Sequence, residues 1–381
     1  MSLFLLIFLL LYSGLHSYMF LRARAALGFG TTTSIGVLLF MVLMVFAPIL
    51  ARVFERPGLE SVARLFAYVG YSWMAILFLF FCISLVVDFG RLLTFLAGAV
   101  AGKDLSYLTR MSVYHFLVPL LLSLGTAVYG YFEARDIRTE RLTITSAKIP
   151  ADVGRIKILQ ISDVHLGVMV GEEKVEKIIQ IVKRENPDVL VSTGDLVDGE
   201  MSNLSGLIGL LKEVNPKYGK FAITGNHEFY AGLDKALAFT KDAGFTMLRG
   251  ERLTVAGFLN IAGVDDPAGR SFRTSTQISE KELLSGLPQE NFTLLLKHRP
   301  FVDEGSIGLF DLQLSGHAHK GQIFPFSLIT KMYYPIDHGC LRLSNGSYFC
   351  VSKGAGTWGP PIRFLAPPDV IVIELVHDSG N

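Results

Sequence analysis

The segment Ile156-Lys-Ile-Leu-Gln-Ile-Ser-Asp-Val-His165 carries the pattern that decides the fold of this chain. Its first six residues are mostly isoleucine and leucine, which predicts a short buried strand. Asp163 and His165 follow directly, and both residue types ligate metal ions. Because ligands of open α/β sheets commonly lie at the carboxyl ends of strands, the segment predicts an α/β domain with a polar site at one sheet edge.

The same arrangement recurs further along the chain. Short apolar runs that predict buried strands lie at residues 188–192, 220–224, 292–296 and 312–314. The polar clusters that follow them are Asp195 with Asp198, Asn226 with His227 and Glu228, His298, and His317 with His319. A single cluster of this kind is more often a cap or a turn. Five clusters in order, each after a predicted strand, indicate one shared site.

Periodicity predicts the remaining elements of this domain. Apolar residues spaced along one helix face predict a helix at 172–184, and a second helix is expected at 233–242. Further strands are expected at 142–145, 258–264 and 370–375.

The residue types in the clusters suit metal ions. Carboxylates, an amide and imidazoles without thiolates favour two borderline or hard divalent cations. In an extended segment residues i and i+2 point the same way, so the Asp-x-His and His-x-His pairs are expected to face one cavity. Glycines before Asp195, Asn226 and His317 are expected to permit tight turns. The sequence has no Gly-x-Ser-x-Gly elbow, so we expect no protein nucleophile.

The first third of the chain has a different composition. Half of all residues are hydrophobic and 18% are charged, against roughly 25% in an ordinary soluble domain. Residues 1–132 hold only eight of the 35 Lys/Arg and four of the 34 Asp/Glu. Four apolar stretches are long enough to cross a bilayer, which needs ~20 residues: 3–21, 31–50, 65–87 and 112–132. The first could instead be a cleaved signal peptide, but no basic residue precedes it.

Residues 92–101 are apolar but too short to cross, so they predict an interfacial piece, a re-entrant piece or an extension of the third span. Four spans place both termini on one side. That side carries seven basic residues near the spans and the other side five, which slightly favours a cytoplasmic catalytic domain. His16, Asp88 and His115 lie in or beside the spans and are expected to pair between helices or to lie near interfaces.

The remaining composition excludes other classes of protein. A net charge of +1 and the lack of a basic run with interleaved aromatics argue against a nucleic-acid partner. Three cysteines cannot form a disulfide framework. Cys340 and Cys350 flank Asn345-Gly346, and a two-residue turn there would pair Cys340 with Val351. The two sulfurs would then lie on opposite faces, so no bridge is expected.

The order and spacing of the clusters resemble the calcineurin-like metallophosphoesterase superfamily over roughly residues 139–375. The resemblance implies a four-layer α/β/β/α sandwich and two divalent ions (Mn²⁺, Fe²⁺/³⁺ or Zn²⁺). It implies that one ion is held by Asp163, His165, Asp195 and His319, and the other by Asp195, Asn226, His298 and His317. It also implies that a metal-bound hydroxide attacks the phosphorus, that His227 assists the leaving group, that Asp198 orients His227, and that Glu228 lies behind the ligands.

The run Gly354-Ala-Gly-Thr-Trp-Gly-Pro-Pro-Ile-Arg-Phe resembles a narrower branch, membrane-associated bacterial phosphoesterases, some of which act on diacylated sugar nucleotides. This resemblance implies a bacterial inner-membrane enzyme that hydrolyses a phosphodiester or pyrophosphate, with the lipid bilayer as its partner and no obligate protein partner evident. Arg299 and Lys320 adjoin ligands and are candidate phosphate contacts. The alternative is a membrane scaffold or sensor whose phosphoesterase domain is inactive.

These inferences divide the chain into a helical transmembrane domain at 1–132, a linker at 133–138, a catalytic domain at 139–376 and a tail at 377–381. Phe301, Phe324, Phe326 and Trp358 lie near the ligand motifs and could line an acyl-binding groove or simply pack in the core.

Overall fold

The computed structural model describes residues 3–56, 58–199, 205–274, 276 and 278–379. These residues divide into two compact units. One holds the described residues up to Phe132 together with Gly359–Ile362, and the other holds Glu133–Trp358 and the described residues from Arg363 onward.

The first unit is helical. Its helices are α1 (Leu3–Leu27), α2 (Thr31–Val53), α3 (Glu60–Ala101), α4 (Ser106–Thr109) and α5 (Tyr114–Glu133). Four of them are long and apolar enough to cross a membrane, which agrees with the four predicted stretches. Helix α3 is continuous over 42 residues, so residues 92–101 extend the third span. At 1.5 Å per residue this helix is about 63 Å long, roughly twice the thickness of a bilayer core.

Two groups of polar residues within these helices are paired. The Asp88 carboxylate accepts hydrogen bonds from Tyr18 at 2.9 Å and from Arg91 at 3.0 Å, and it also binds Arg22. In a second pair, the indole N–H of Trp73 donates to His16 Nε2 at 2.9 Å. Pairing lowers the cost of placing such groups in an apolar environment, so the polar residues join helices together.

The second unit contains two six-stranded sheets. The first has the order β1-β12-β2-β3-β4-β5, and the second has the order β10-β11-β9-β8-β7-β6. The strands are β1 (Arg138–Ser146), β2 (Arg155–Ile161), β3 (Val189–Ser192), β4 (Lys220–Ala222), β5 (Thr246–Met247), β6 (Glu251–Val255), β7 (Leu259–Gly263), β8 (Phe292–Leu296), β9 (Leu312–Ser315), β10 (Gly339–Arg342), β11 (Tyr348–Val351) and β12 (Asp369–His377). The helices are α6 (Glu172–Glu185), α7 (Ser205–Lys212), α8 (Asn226–Ala231), α9 (Leu233–Asp242), α10 (Glu280–Ser285) and α11 (Ser327–Tyr333).

The two sheets pack face to face with helices outside. In β2 the side chain of Ile158 enters the core between the sheets, whereas those of Leu159 and Ile161 enter the core beneath α6, α7 and α9. This alternation follows from the two-residue period of a strand. Leu283 and Leu284 of α10 cover the outer face of the second sheet. The layers are therefore α/β/β/α, as predicted.

One sequence-based prediction is wrong in this unit. Cys340 lies directly opposite Cys350 in the β10–β11 hairpin, and the two form a disulfide. Leu343 N donates to Ser347 O at 2.8 Å, so the loop has three residues rather than two. Gly346 takes φ +92°, which three-residue hairpin loops favour at this position. The extra residue shifts the register by one and brings both cysteines to the same face.

Candidate active site

The predicted site residues converge at one edge of the sandwich. Asp163 and His165 follow β2, Asp195 follows β3, and His298 follows β8. Asn226 begins α8, which comes after β4, and His317 with His319 follow β9. Strands β2, β3 and β4 are mutually parallel, as are β8 and β9, so their carboxyl ends meet on one side.

The backbone at these residues differs from the sequence-based expectation. Asp163, His165, Asp195, His317 and His319 all have φ between +49° and +69°. The Asp-x-His and His-x-His pairs are therefore not extended, and their side chains converge through left-handed backbone instead. The left-handed conformation costs a non-glycine residue of order 1–3 kcal/mol, and it persists only where the surrounding structure holds it. Such residues are typical of functional sites.

Two glycines permit close approach rather than tight turns. A Cβ on Gly225 would lie 2.1 Å from Asp195 Oδ1, and a Cβ on Gly316 would lie 2.2 Å from Asp163 Oδ2. Any side chain at these positions would displace a site carboxylate, so glycine is needed there for space.

The side-chain atoms lie close enough to share metal ions. Asp163, His165 and His319 form one group and Asp195, His298 and His317 another, with ligand atoms within 4.8 Å of one another in each group. Asp195 Oδ2 lies 3.2 Å from His298 Nε2 and 3.9 Å from His165 Nε2, so it reaches toward both groups. Asn226 Oδ1 lies 3.3 Å from His298 Nε2, which adds the amide to the second group.

The arrangement fits two cations. His165 Nε2 lies 3.0 Å from His319 Nε2, and His317 Nδ1 lies 3.1 Å from His298 Nε2, so ring nitrogens converge in pairs. Carboxylate oxygen and imidazole nitrogen are the donors that Mn²⁺, Fe and Zn²⁺ accept. The same groups would hold the two ions that the sequence predicts.

Electrostatics point the same way. Burial, together with the charge of Asp195, raises the pKa of Asp163 to about 6. Burial lowers the pKa of His165 to about 4 and that of His317 to about 3, which keeps both imidazoles neutral, the form that ligates metals. Burial also lowers the pKa of His298, but the Asp195 carboxylate outweighs it and raises the value to about 10. Buried carboxylates therefore attract positive charge into the site.

His227 stands beside these groups with its own partner. His227 Nδ1 lies 2.5 Å from Asp198 Oδ1, so the two residues of the expected catalytic pair are neighbours, and the orienting role of Asp198 stays a prediction. The ring centre of His227 lies 4.7 Å from that of His165 and 6.1 Å from that of Trp358. His227 is also within ligand distance of His165 and Asp195, so position alone permits a metal-binding role as well.

Glu228 supports the ligands through the backbone. Its carboxylate accepts hydrogen bonds from the N–H groups of Gly225 at 2.7 Å, Asp195 at 3.0 Å and Leu196 at 2.7 Å. Burial and the nearby charge of Asp195 raise the pKa of Glu228 to about 7. Glu228 thus fixes two ligand-bearing segments relative to each other.

Arg363 is a site residue that the sequence analysis did not identify. Its side chain is fully buried, and it donates to the carbonyl oxygens of Lys353 at 2.8 Å and Gly354 at 3.1 Å. Its Nη2 also lies 3.0 Å from His319 Nδ1. The motif Gly354–Phe364 contains this arginine, but nothing in the surrounding sequence predicts that its side chain is buried.

The two candidate phosphate contacts have other neighbours. Arg299 donates from Nε and Nη2 to the buried carboxylate of Asp266, at 2.8 and 3.1 Å. Burial lowers the pKa of Lys320, whose charged neighbours are Lys353, Asp337, Lys331 and Glu133 rather than the clustered ligands. A phosphate role for either residue stays a prediction.

Comparison with known proteins agrees with this geometry. A sequence profile of the family described as calcineurin-like phosphoesterase matches residues 156–321. An uncharacterized metallophosphoesterase of Aquifex aeolicus is 42% identical over 69% of this chain and its own whole length. Another from Campylobacter jejuni is 30% identical over 87% of this chain and 89% of its own. A Danio rerio protein called transmembrane protein with metallophosphoesterase domain is 28% identical over 68% of this chain and 62% of its own.

The profile spans every candidate ligand from Asp163 to His319, and the two bacterial relatives match most of their own length. The chain therefore belongs to the calcineurin-like metallophosphoesterases, a family of dimetal-dependent phosphoric ester hydrolases, and it carries a membrane-associated helical region before the catalytic unit.

Proposed function

We propose that this chain hydrolyses a phosphodiester or pyrophosphate bond with the help of two divalent ions. The observation that supports this most is the convergence of every predicted ligand around Asp195, with the His227–Asp198 pair beside them. When bound, two such ions activate a water and neutralise charge on the phosphoryl oxygens.

The protein residues have separate tasks in this proposal. Asp195, whose Oδ2 reaches toward both candidate metal groups, would hold both ions. His227 keeps Nδ1 toward Asp198, which leaves Nε2 to donate a hydrogen bond or a proton to the leaving oxygen. Glu228 holds ligand-bearing backbone in place, and Arg363 contacts the imidazole ring of His319. Because the ions and His227 supply the chemistry, no residue needs to form a covalent intermediate.

The experiment that tests this proposal measures metal content and hydrolysis of an aryl phosphodiester with Mn²⁺ by the purified full-length chain. We expect two ions per chain and turnover that a chelator abolishes. A chain that binds no metal and has no activity with Mn²⁺, Fe²⁺ or Zn²⁺ would instead be the inactive scaffold or sensor.

The surroundings of the site support a substrate with a lipid tail. Trp358 is 51% exposed beside His227, and the ring of Tyr334 lies 5.9 Å from that of His317. Phe301 packs against Tyr334 at 5.2 Å. Aromatic side chains thus border the site at both catalytic and metal-binding histidines, and they offer apolar surface to an acyl chain. A chain with four apolar helices also has ready access to lipids.

We expect the full-length enzyme in vesicles to hydrolyse a diacylated sugar nucleotide more efficiently than its deacylated form. Acyl chains that stay in the bilayer would concentrate the substrate at the enzyme and add apolar contacts. The comparison of kcat/KM for the two forms checks this. Equal values would show that the helices only localise an enzyme for soluble esters.

We further propose that the chain is a multi-pass protein of a bacterial inner membrane whose catalytic unit faces the cytoplasm, as the small excess of basic residues favours. Disulfides such as Cys340–Cys350 persist chiefly in oxidising compartments. The basic excess predicts that a reporter fused after Asn381 signals a cytoplasmic location. The disulfide favours the opposite side, so on the cytoplasmic assignment the two thiols must be reduced in cells and accessible to an alkylating reagent. A periplasmic signal with an intact bridge would reverse this assignment.

A further inference from the structure

Helix α11 carries an unusual surface. Six of the twelve large apolar side chains that are exposed in the described part of the chain beyond residue 133 fall within residues 324–333. In α11 itself Leu328 is 54% exposed, Ile329 57%, Met332 87% and Tyr333 66%. At helical spacing these four residues share one face. This concentration marks an interaction surface rather than scattered apolar residues.

The polarity of α11 is inverted relative to the other surface helices. In α6 the apolar residues Val175, Ile178 and Val182 are buried, as in an ordinary soluble helix. In α11 the buried residue is Thr330, whose hydroxyl lies 3.2 Å from Asp337 Oδ2. The helix therefore turns a polar side chain inward and exposes its apolar side chains. Tyr333 also contacts its own unit, because its ring centre lies 5.8 Å from that of Phe301.

The catalytic unit follows the last apolar helix after a short linker. The chain has four helices long and apolar enough to cross a membrane, and only residues 134–137 separate α5 from β1. Four residues span at most about 14 Å, so the catalytic unit is tethered near the bilayer. Two turns of helix are too short to cross a membrane, but Leu, Ile, Met and Tyr on one face, with Lys331 beside them, suit a shallow interfacial position.

We propose that the apolar face of α11, formed by Leu328, Ile329, Met332 and Tyr333, docks onto the surface of the lipid bilayer. This docking bears directly on the active site. A Cβ on Gly321 would lie 2.5 Å from Ser327 N, so the start of α11 packs against the segment that follows His319. The end of α11 adjoins Tyr334, whose ring contacts that of His317. Docking would thus place both histidines of the His-x-His pair next to the membrane surface.

The test places a fluorescent probe on α11 in the full-length chain. Met332→Cys is labelled in a chain whose three native cysteines are alanine, and the protein is reconstituted in vesicles of phosphatidylethanolamine and phosphatidylglycerol that contain nitroxide-labelled lipid. Lys241→Cys is the matched control, because Lys241 is exposed on α9. This helix packs against β5, the edge strand of the first sheet opposite β1. We expect the probe at position 332 to lose most of its fluorescence and the probe at position 241 to keep it.

A second variant checks the cause of the quenching. Ile329→Glu in the chain labelled at position 332 should restore fluorescence, while an unchanged metal content shows that the fold is intact. Equal fluorescence at positions 332 and 241 would overturn the proposal. A second result would also overturn it. If the probe at position 332 were protected from aqueous quenchers only at high protein density, and were not quenched by lipid nitroxides, a second copy of the chain would cover α11.

Discussion

Replacing Asp195 with alanine is expected to lower hydrolysis by roughly 10³-fold or more, since metal ions contribute several kcal/mol of transition-state stabilisation. Asp195 Oδ2 lies within 4 Å of imidazole nitrogens from both candidate metal groups. Without this carboxylate the site has one fewer negative charge to balance the positive charge of two cations. We expect elemental analysis of the purified variant to show loss of at least one ion per chain.

Two further variants separate the loss of metal from a loss of fold. Asp195 Oδ1 also accepts a hydrogen bond from His227 N at 2.8 Å, and an unsatisfied buried donor costs about 1–3 kcal/mol. Asp195→Asn keeps an acceptor there and removes only the charge, so it should lose metal and activity without unfolding. Asp311→Ala removes another carboxylate, the partner of Lys148, and should keep both ions. Near-normal activity and two ions in Asp195→Ala would refute the bridging assignment.

The elements that could be predicted are those whose signals are local. The isoleucine-rich run before Asp163 predicts β2, and the helical spacing after residue 172 predicts α6 to within one residue. The same local pattern places each cluster after a strand, and parallel pairing then gathers the clusters at one edge. Convergence of the ligands was therefore predictable without knowing any contact between them.

Features that depend on distant contacts were not predictable. The left-handed backbone of Asp163 and His317 exists because neighbouring segments hold it, and neither residue type by itself predicts that conformation. A single additional loop residue reversed the prediction for Cys340 and Cys350, since register depends on loop geometry. The apolar residues of α11 have the composition of a core helix, and only the structure shows that they face outward.

Replacing His227 with alanine is expected to slow turnover by roughly 10²–10⁴-fold, the usual contribution of a positioned proton donor, while both ions stay bound. The distinction matters because His227 lies within ligand distance of His165 and Asp195. Its Nδ1, however, is 2.5 Å from Asp198 Oδ1, which commits that nitrogen to the carboxylate. Asp198→Asn should give a milder loss, because the ring remains in place with a weaker partner.

The dependence on leaving group identifies the role of His227. A proton donor matters most when the departing oxygen is basic, so the loss in His227→Ala should grow with the pKa of the leaving alcohol and shrink for an acidic phenol. His338→Ala is a matched control, since His338 Nδ1 lies 2.8 Å from Asp337 Oδ1 but forms part of no candidate metal group among the described residues. A similar loss for every leaving group, together with a missing ion, would place His227 among the metal ligands. A steep dependence with both ions present would place it at the leaving oxygen, on the side of the phosphorus away from the attacking water.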